Sequence, residues 1–370
     1  MAAHASILSP PVLLKHPAAF LVEPYDGERK EEWNRFVSAA KNATFLFNRD
    51  YMDYHHDRFT DGSLMAFHGN SLVAVMAANV AAPDTLVSHG GLTYGGLALS
   101  RRASLHEVLA CFKAVLVYLK EHGVARLMYK RIPTFYNTLP DDDILYALFL
   151  LEAHLYRRDC ALVVSQADRL GLSKRRQRGV NKARKLGLRI TQEPTFVPFW
   201  ERVLQPRLLK RYGVKPTHTV DEIAFLKSRF PENIKQFSAY CGSEIVAGAT
   251  IYETPTVAHA QYIAVSDKGA KMGALDFLFG WLIDEHYKAK RFFDLGITNE
   301  PEGRALNHGL LAWKEGFGAR ACAQDFYEVS TNNYSKLETV LHARGPAESK
   351  SPSLASLPTL NLSIASPPHS

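Results

Sequence analysis

Apolar residues recur along this chain in short runs of two periods, and the periods alternate in a repeating order. SLMAFHGNSLVAVMAANV (63–80) alternates about His68-Gly69-Asn70 and predicts a hairpin. The glycine-rich LVSHGGLTYGGLALS (86–100) continues it as extended chain. LHEVLACFKAVLVYLKEHG (105–123) changes to spacings of three and four and closes on Gly123, predicting a helix with its stop. ARLMYKRIP then predicts a buried strand ended by Pro133. A second helix starts near Asp141 to Asp143, where carboxylates favour a helix N-terminus. DCALVVS (159–165) predicts the last strand of the set.

The order then repeats. IKQFSAYCGSEIVAGATIYE (234–253) predicts a hairpin turning at Cys241-Gly242-Ser243, and TVAHAQYIAVS (256–266) a strand. GALDFLFGWLIDEHYKAK (273–290) predicts an amphipathic helix, RFFDLG (291–296) a buried strand, ALNHGLLAWKEGFG (305–318) a helix and RACAQDFYEVS (320–330) a strand. HGNSLVAV aligns with CGSEIVAG and ARLMYK with KRFFDLG, so the repeat lies in element order more than in identity. The expected fold class is α/β with mixed sheets in two tandem lobes, 20–165 and 166–335. Residues 1–19 form an N-terminal extension, and 344–370, rich in Ser, Pro and Ala, are expected to be disordered.

Composition narrows the picture modestly. With 370 residues, 46% of them apolar, the chain is long enough for one large core or two medium ones. No window approaches about eighteen consecutive apolar residues, so no membrane span is expected, while peripheral association stays open. The start has no basic region ahead of its apolar patch and does not read as a signal peptide. The four cysteines are far apart and form no CxxC, which fits a reducing cytoplasm and no metal. A net charge of +7 suits an anionic ligand without requiring DNA. GxxxxGK[ST], GxSxG, HExxH and a strand-linked GxGxxG are all absent.

Candidate chemistry gathers in the second half. FFDLG ends a buried strand on Asp294, at the sheet edge where α/β proteins favour ligands. Asn299, Asn307 and Lys314 follow within one loop and helix. Structural roles compete: Asp294 can tie down its loop, and Asn307 can be a helix N-cap. In AHAQYIA, alternation puts His259, Gln261 and Ile263 on one strand face and Tyr262 on the other. His259 suits a general base for an amine nucleophile. His218 precedes a helix start at Thr219, and Lys130 ends a strand of the first half beside Arg131. The run SKRRQRGVNKARKLGLR (173–189) carries eight Lys or Arg and no acid. It is either a solvated helix face or a phosphate-binding ridge, and without interleaved aromatics it is poorly suited to base stacking.

RGVNKARKLGLRI, QYIAVS, FFDLG and LAWKEGFGAR, in that order and spacing, resemble the FemAB-like branch of the GNAT acyltransferases, strongest over 170–330. The nearest resemblance is to members that occur with bacterial surface-polysaccharide genes. It implies two tandem GNAT-like lobes with a substrate cleft, and an acyl donor held where two strands splay. An amine attacks the acyl carbon directly, with acetyl-coenzyme A or another acyl-CoA as co-substrate and an amino sugar, free or nucleotide- or lipid-linked, as acceptor. In these terms His259 or Asp294 is the base and Tyr262 or Tyr327 the acid. Gln261, Asn299, Asn307, Lys314, His218 and Lys130 are substrate contacts. The family's pyrophosphate loop corresponds to SDKGAKMGALDF, implying Val265, Gly269, Lys271 and Gly273 as cofactor contacts, although the [QR]xxGx[GA] pattern is not kept. Fem enzymes share that departure and take aminoacyl groups from tRNA, which is the alternative donor. A binding module without catalysis is the third reading.

Overall fold

The computed structural model describes residues 20–300 and 303–342; the expected extension at 1–19 and tail at 344–370 lie outside the described residues. Fourteen strands are formed among them: β1 (Phe20–Pro24), β2 (Leu64–His68), β3 (Ser71–Ala77), β4 (Asn79–Ala82), β5 (Thr85–Val87), β6 (Gly96–Leu99), β7 (Arg126–Lys130), β8 (His154–Ser165), β9 (Arg189–Glu193), β10 (Ile234–Cys241), β11 (Glu244–Glu253), β12 (Val257–Val265), β13 (Phe292–Ile297) and β14 (Arg320–Ser330). One sheet has the order β1-β2-β3-β6, and a ten-stranded sheet runs β4-β5-β7-β14-β8-β13-β12-β11-β10-β9. Both hairpin turns expected from sequence are present, with Gly69 at φ 58° and Gly242 at φ 61°.

The two halves are joined by exchange of their last strands. β8 pairs antiparallel with β13 of the second half, while β14 inserts between β7 and β8. Each half also has one parallel pair, β5 with β7 and β12 with β13. The ten-stranded sheet is thus shared by both halves, while the four-stranded sheet lies within the first.

Helices cover the sheets where the apolar periodicity changes. The Leu105–Glu121 helix starts on a Ser104–Glu107 capping box and packs Val108, Phe112, Val115 and Leu119 into the core of the first half. The helix expected over 273–290 is regular only from Ala274 to Trp281 and widens into a π-turn at Leu282–His286. The wider turn buries the adjacent Leu282 and Ile283 together, which regular helical spacing does not favour. The basic run forms the Lys174–Lys185 helix, resting on Val180 and Ala183.

Candidate active site

β12 and β13 pair through only three positions, Val257 with Phe292, Ala258 with Phe293 and His259 with Asp294. Beyond His259 and Asp294 the two strands part. Gly296, at φ 75°, begins the irregularity by which β13 skips in register against β8. A cavity of about 430 Å³ opens at this parting. Its wall takes His259, Gln261 and Ile263 from the alternating face of β12, and Asp294 to Ile297 from β13.

Asp294 is 3% exposed and fully engaged. His259 Nδ1 lies 2.8 Å from its Oδ2, the Tyr136 hydroxyl donates to the same oxygen at 2.8 Å, and the Gly296 N–H donates to Oδ1 at 2.7 Å. Burial alone would raise this carboxyl, but the three partners, His259 foremost, outweigh it and hold Asp294 below the ordinary carboxylate range. An ionised Asp294 accepts from Nδ1–H, so the neutral imidazole carries its lone pair on Nε2. Burial and the Asp294 charge push the Tyr136 hydroxyl well above its usual value, so it stays a donor.

Two lysines also line the cavity. Lys314 donates to the Gly296 and Ile297 carbonyls at 2.9 and 2.6 Å, and burial, partly offset by Asp294, pushes its pKa down to about 8. Lys130 donates to the carbonyls of His89, at 3.0 Å, and Leu92; burial, aided by Arg157, also pushes it down to about 8. Arg157 grips Asp159 through two bonds of 2.8 and 2.6 Å, and both residues reach the cavity wall. Tyr94, Phe135 and Phe326 supply an apolar side.

Of the residues singled out by sequence, His259, Gln261, Asp294, Lys314 and Lys130 are brought together here. The others lie elsewhere. Tyr262 projects from the opposite face of β12, where its hydroxyl meets the backbone N–H and Nδ1 of His218, so neither residue faces the cavity. Tyr327 donates to Asp325 at 3.2 Å and is outside the lining, although its neighbour Phe326 is in it. Asn299 accepts from the Cys160 N–H and donates to Asp159, bracing the wall from behind. Asn307 caps the His308–Glu315 helix through the Leu310 N–H. Residues that the sequence reading passed over, Tyr136, Arg157 and Asp159, come from the first half. No local pattern in the sequence ties Tyr136 to Asp294.

Val265, Gly269, Lys271 and Gly273 do not line the cavity. The Gly269 N–H is spent on Ser266 Oγ at 3.0 Å, and a Cβ there would lie 2.3 Å from the Val246 carbonyl oxygen. A Cβ on Gly273 would lie 2.6 Å from the carbonyl of Gly179, on the basic helix. Asp267 adds a carboxylate at the same helix start. These two glycines serve close packing against neighbouring backbone. Among the described residues no cluster of His, Cys, Asp and Glu is arranged to hold a metal, and no helix is long and apolar enough to cross a membrane.

No protein-family model matches the chain, and no curated protein matches it in sequence. Solved structures do match in fold. FemX superposes with a TM-score of 0.61 at 10% identity, over 85% of this chain and 99% of its own. The C-terminal domain of a putative lysylphosphatidylglycerol synthetase from Agrobacterium fabrum gives 0.54 at 11% identity, over 85% and 96%. L-PGS from Bacillus licheniformis gives 0.52 at 15% identity, over 87% and 99%. The chain therefore has a FemAB-like acyltransferase fold of mixed α/β type, in line with the sequence resemblance.

Proposed function

We propose that the protein is an N-acyltransferase of the Fem type, moving an activated acyl group onto an amine bound in the cavity between β12 and β13. The observation that carries this reading is the hydrogen-bonded series Tyr136–Asp294–His259 at the parting of the strands. His259 Nε2 takes the proton from the attacking amine as its nitrogen bonds to the acyl carbon. The same proton then passes to the leaving oxygen as the acyl–oxygen bond breaks. Asp294 fixes the imidazole tautomer and balances the imidazolium formed between the two steps. Lys314 places a cation beside the site, where negative charge develops on the acyl oxygen. The polar wall of Gln261, Lys130 and Arg157 suits a hydroxyl-rich acceptor such as an amino sugar.

An oxygen-ester donor, such as an aminoacyl group on tRNA, is favoured over acyl-CoA because SDKGAKMGALDF does not keep the [QR]xxGx[GA] pattern and the fold superposes on FemX. Assays of the purified protein with labelled aminoacyl-tRNA and, separately, acetyl-coenzyme A across a panel of amino sugars and their nucleotide forms test both choices. His259→Gln and Asp294→Asn are each expected to lower turnover by roughly a hundredfold, the scale of general-base loss, with folding intact. Unchanged turnover in His259→Gln removes the base assignment. Turnover with acetyl-coenzyme A alone overturns the donor assignment and leaves the base standing.

A further inference from the structure

The exposed segment Gln205–Lys215 is not used by the mechanism above. Ahead of it, Trp200, Val203 and Leu204 are buried and anchor the chain. The Gln205–Tyr212 helix then runs along the surface, with Leu208 half-buried against the core and no side chain fully buried, and ends at Gly213 in a left-handed turn. Leu209, Tyr212 and Val214 are 65%, 58% and 51% exposed. Leu209 and Tyr212 stand three apart and so share one helix face. Arg202, Lys210, Arg211 and Lys215 are exposed around them, and the only acid between 201 and 215 is Glu201. Lys210 and Arg207 also reach Asp267 at 2.7 and 3.0 Å, which ties the helix to the start of the Asp267–Met272 turn. That turn ends at Gly273, against Gly179 of the basic helix, whose Lys174, Arg175, Arg178, Lys182, Arg184 and Lys185 are exposed.

We propose that this segment docks the protein on an anionic phospholipid bilayer, with Leu209, Tyr212 and Val214 entering the interface and the flanking Lys and Arg meeting lipid phosphates. Protruding apolar side chains within a basic surround are the combination that interfacial helices present to acidic membranes. Basic side chains next to them can lay their stems along the apolar surface while the charged ends reach headgroups. An RNA partner would reward the charges but not Leu209 or Val214, since phosphates and sugars offer them no apolar counterpart. A second copy of this chain would bring like charges together across a two-fold contact.

Flotation of the full chain with vesicles of phosphatidylcholine containing about a third phosphatidylglycerol tests the proposal. Binding is expected to be at least roughly tenfold stronger than to phosphatidylcholine alone and to weaken with added salt. Leu209→Ser with Tyr212→Ser, and separately Arg211→Glu with Lys215→Glu, are each expected to reduce it at least roughly fivefold, with thermal midpoints unchanged because none of these side chains is buried. Equal partitioning onto neutral vesicles, no vesicle binding at all, or indifference to the Leu209 and Tyr212 substitutions overturns it. So does tRNA binding that depends on Arg211 and Lys215 but not on Leu209, which assigns the surface to RNA. Dimerisation abolished by Leu209→Ser would assign it instead to a second copy.

Discussion

Asp294 is a buried charge, and what keeps it tolerable is the count of donors around it. A buried carboxylate with a missing donor is costly, because the desolvation is not returned. Tyr136→Phe removes one of three donors and leaves the ring's packing in place. It is expected to cost about 1.5–3 kcal/mol of stability by urea denaturation, the range for a hydrogen bond to a charged group. Turnover should fall by less than in Asp294→Asn, since His259 keeps its partner. An unaltered denaturation midpoint would mean that the hydroxyl does not reach the carboxylate. His259, Gln261 and Asp294 were legible in the sequence because each is polar within an apolar strand, and alternation alone puts His259 and Gln261 on one face. Tyr136 was not legible, because its approach to Asp294 is set by where a loop of the first half crosses a strand of the second.

At the scale of elements, apolar periodicity located most strands and the principal helices, yet it was silent on which strand lies beside which. β8 and β14 read alike as strands closing their halves, and nothing in their alternation shows that each pairs within the other half. The glycines of SDKGAKMG posed a similar ambiguity: a glycine that admits a phosphate and one that admits a neighbouring backbone look the same in sequence. Gly273 is at φ 78° with its α-carbon facing the Gly179 carbonyl, so an added methyl group meets both backbone strain and a steric block. Gly273→Ala is expected to destabilise the protein by about 2–4 kcal/mol, combining left-handed strain with overpacking. The fall in thermal midpoint should occur with little change in the KM of the donor. A raised donor KM with an unaltered midpoint would instead make Gly273 a ligand contact.

Across the whole molecule, the halves also meet through a stack of neutral histidines. His55 lies on His89, with ring centroids 5.2 Å apart, and Tyr54 lies on both His55, at 4.3 Å, and His218 of the second half, at 5.5 Å. Burial dominates all three histidines, lowering His55 and pushing His89 down to about 3 and His218 to about 4. Arg58, Lys130 and Arg49 act in the same direction, while Asp57, Asp61 and Glu222 act against it without prevailing. In the unfolded chain each ring takes up its proton near pH 6.5. Between that pH and the folded values only the unfolded state is protonated, so stability must fall as the pH drops through this window. By pH 5, His89 and His218 are each expected to have withdrawn about 2 kcal/mol, and His55 adds in the same direction. Urea denaturation at pH 7 and pH 5 should therefore show a loss of about 4 kcal/mol or more from these rings. In His218→Leu the slope should shrink by about half, because one of the two strongly shifted rings is gone. A flat profile between pH 7 and 5 would place these rings in water and remove the stack as a joint between the halves.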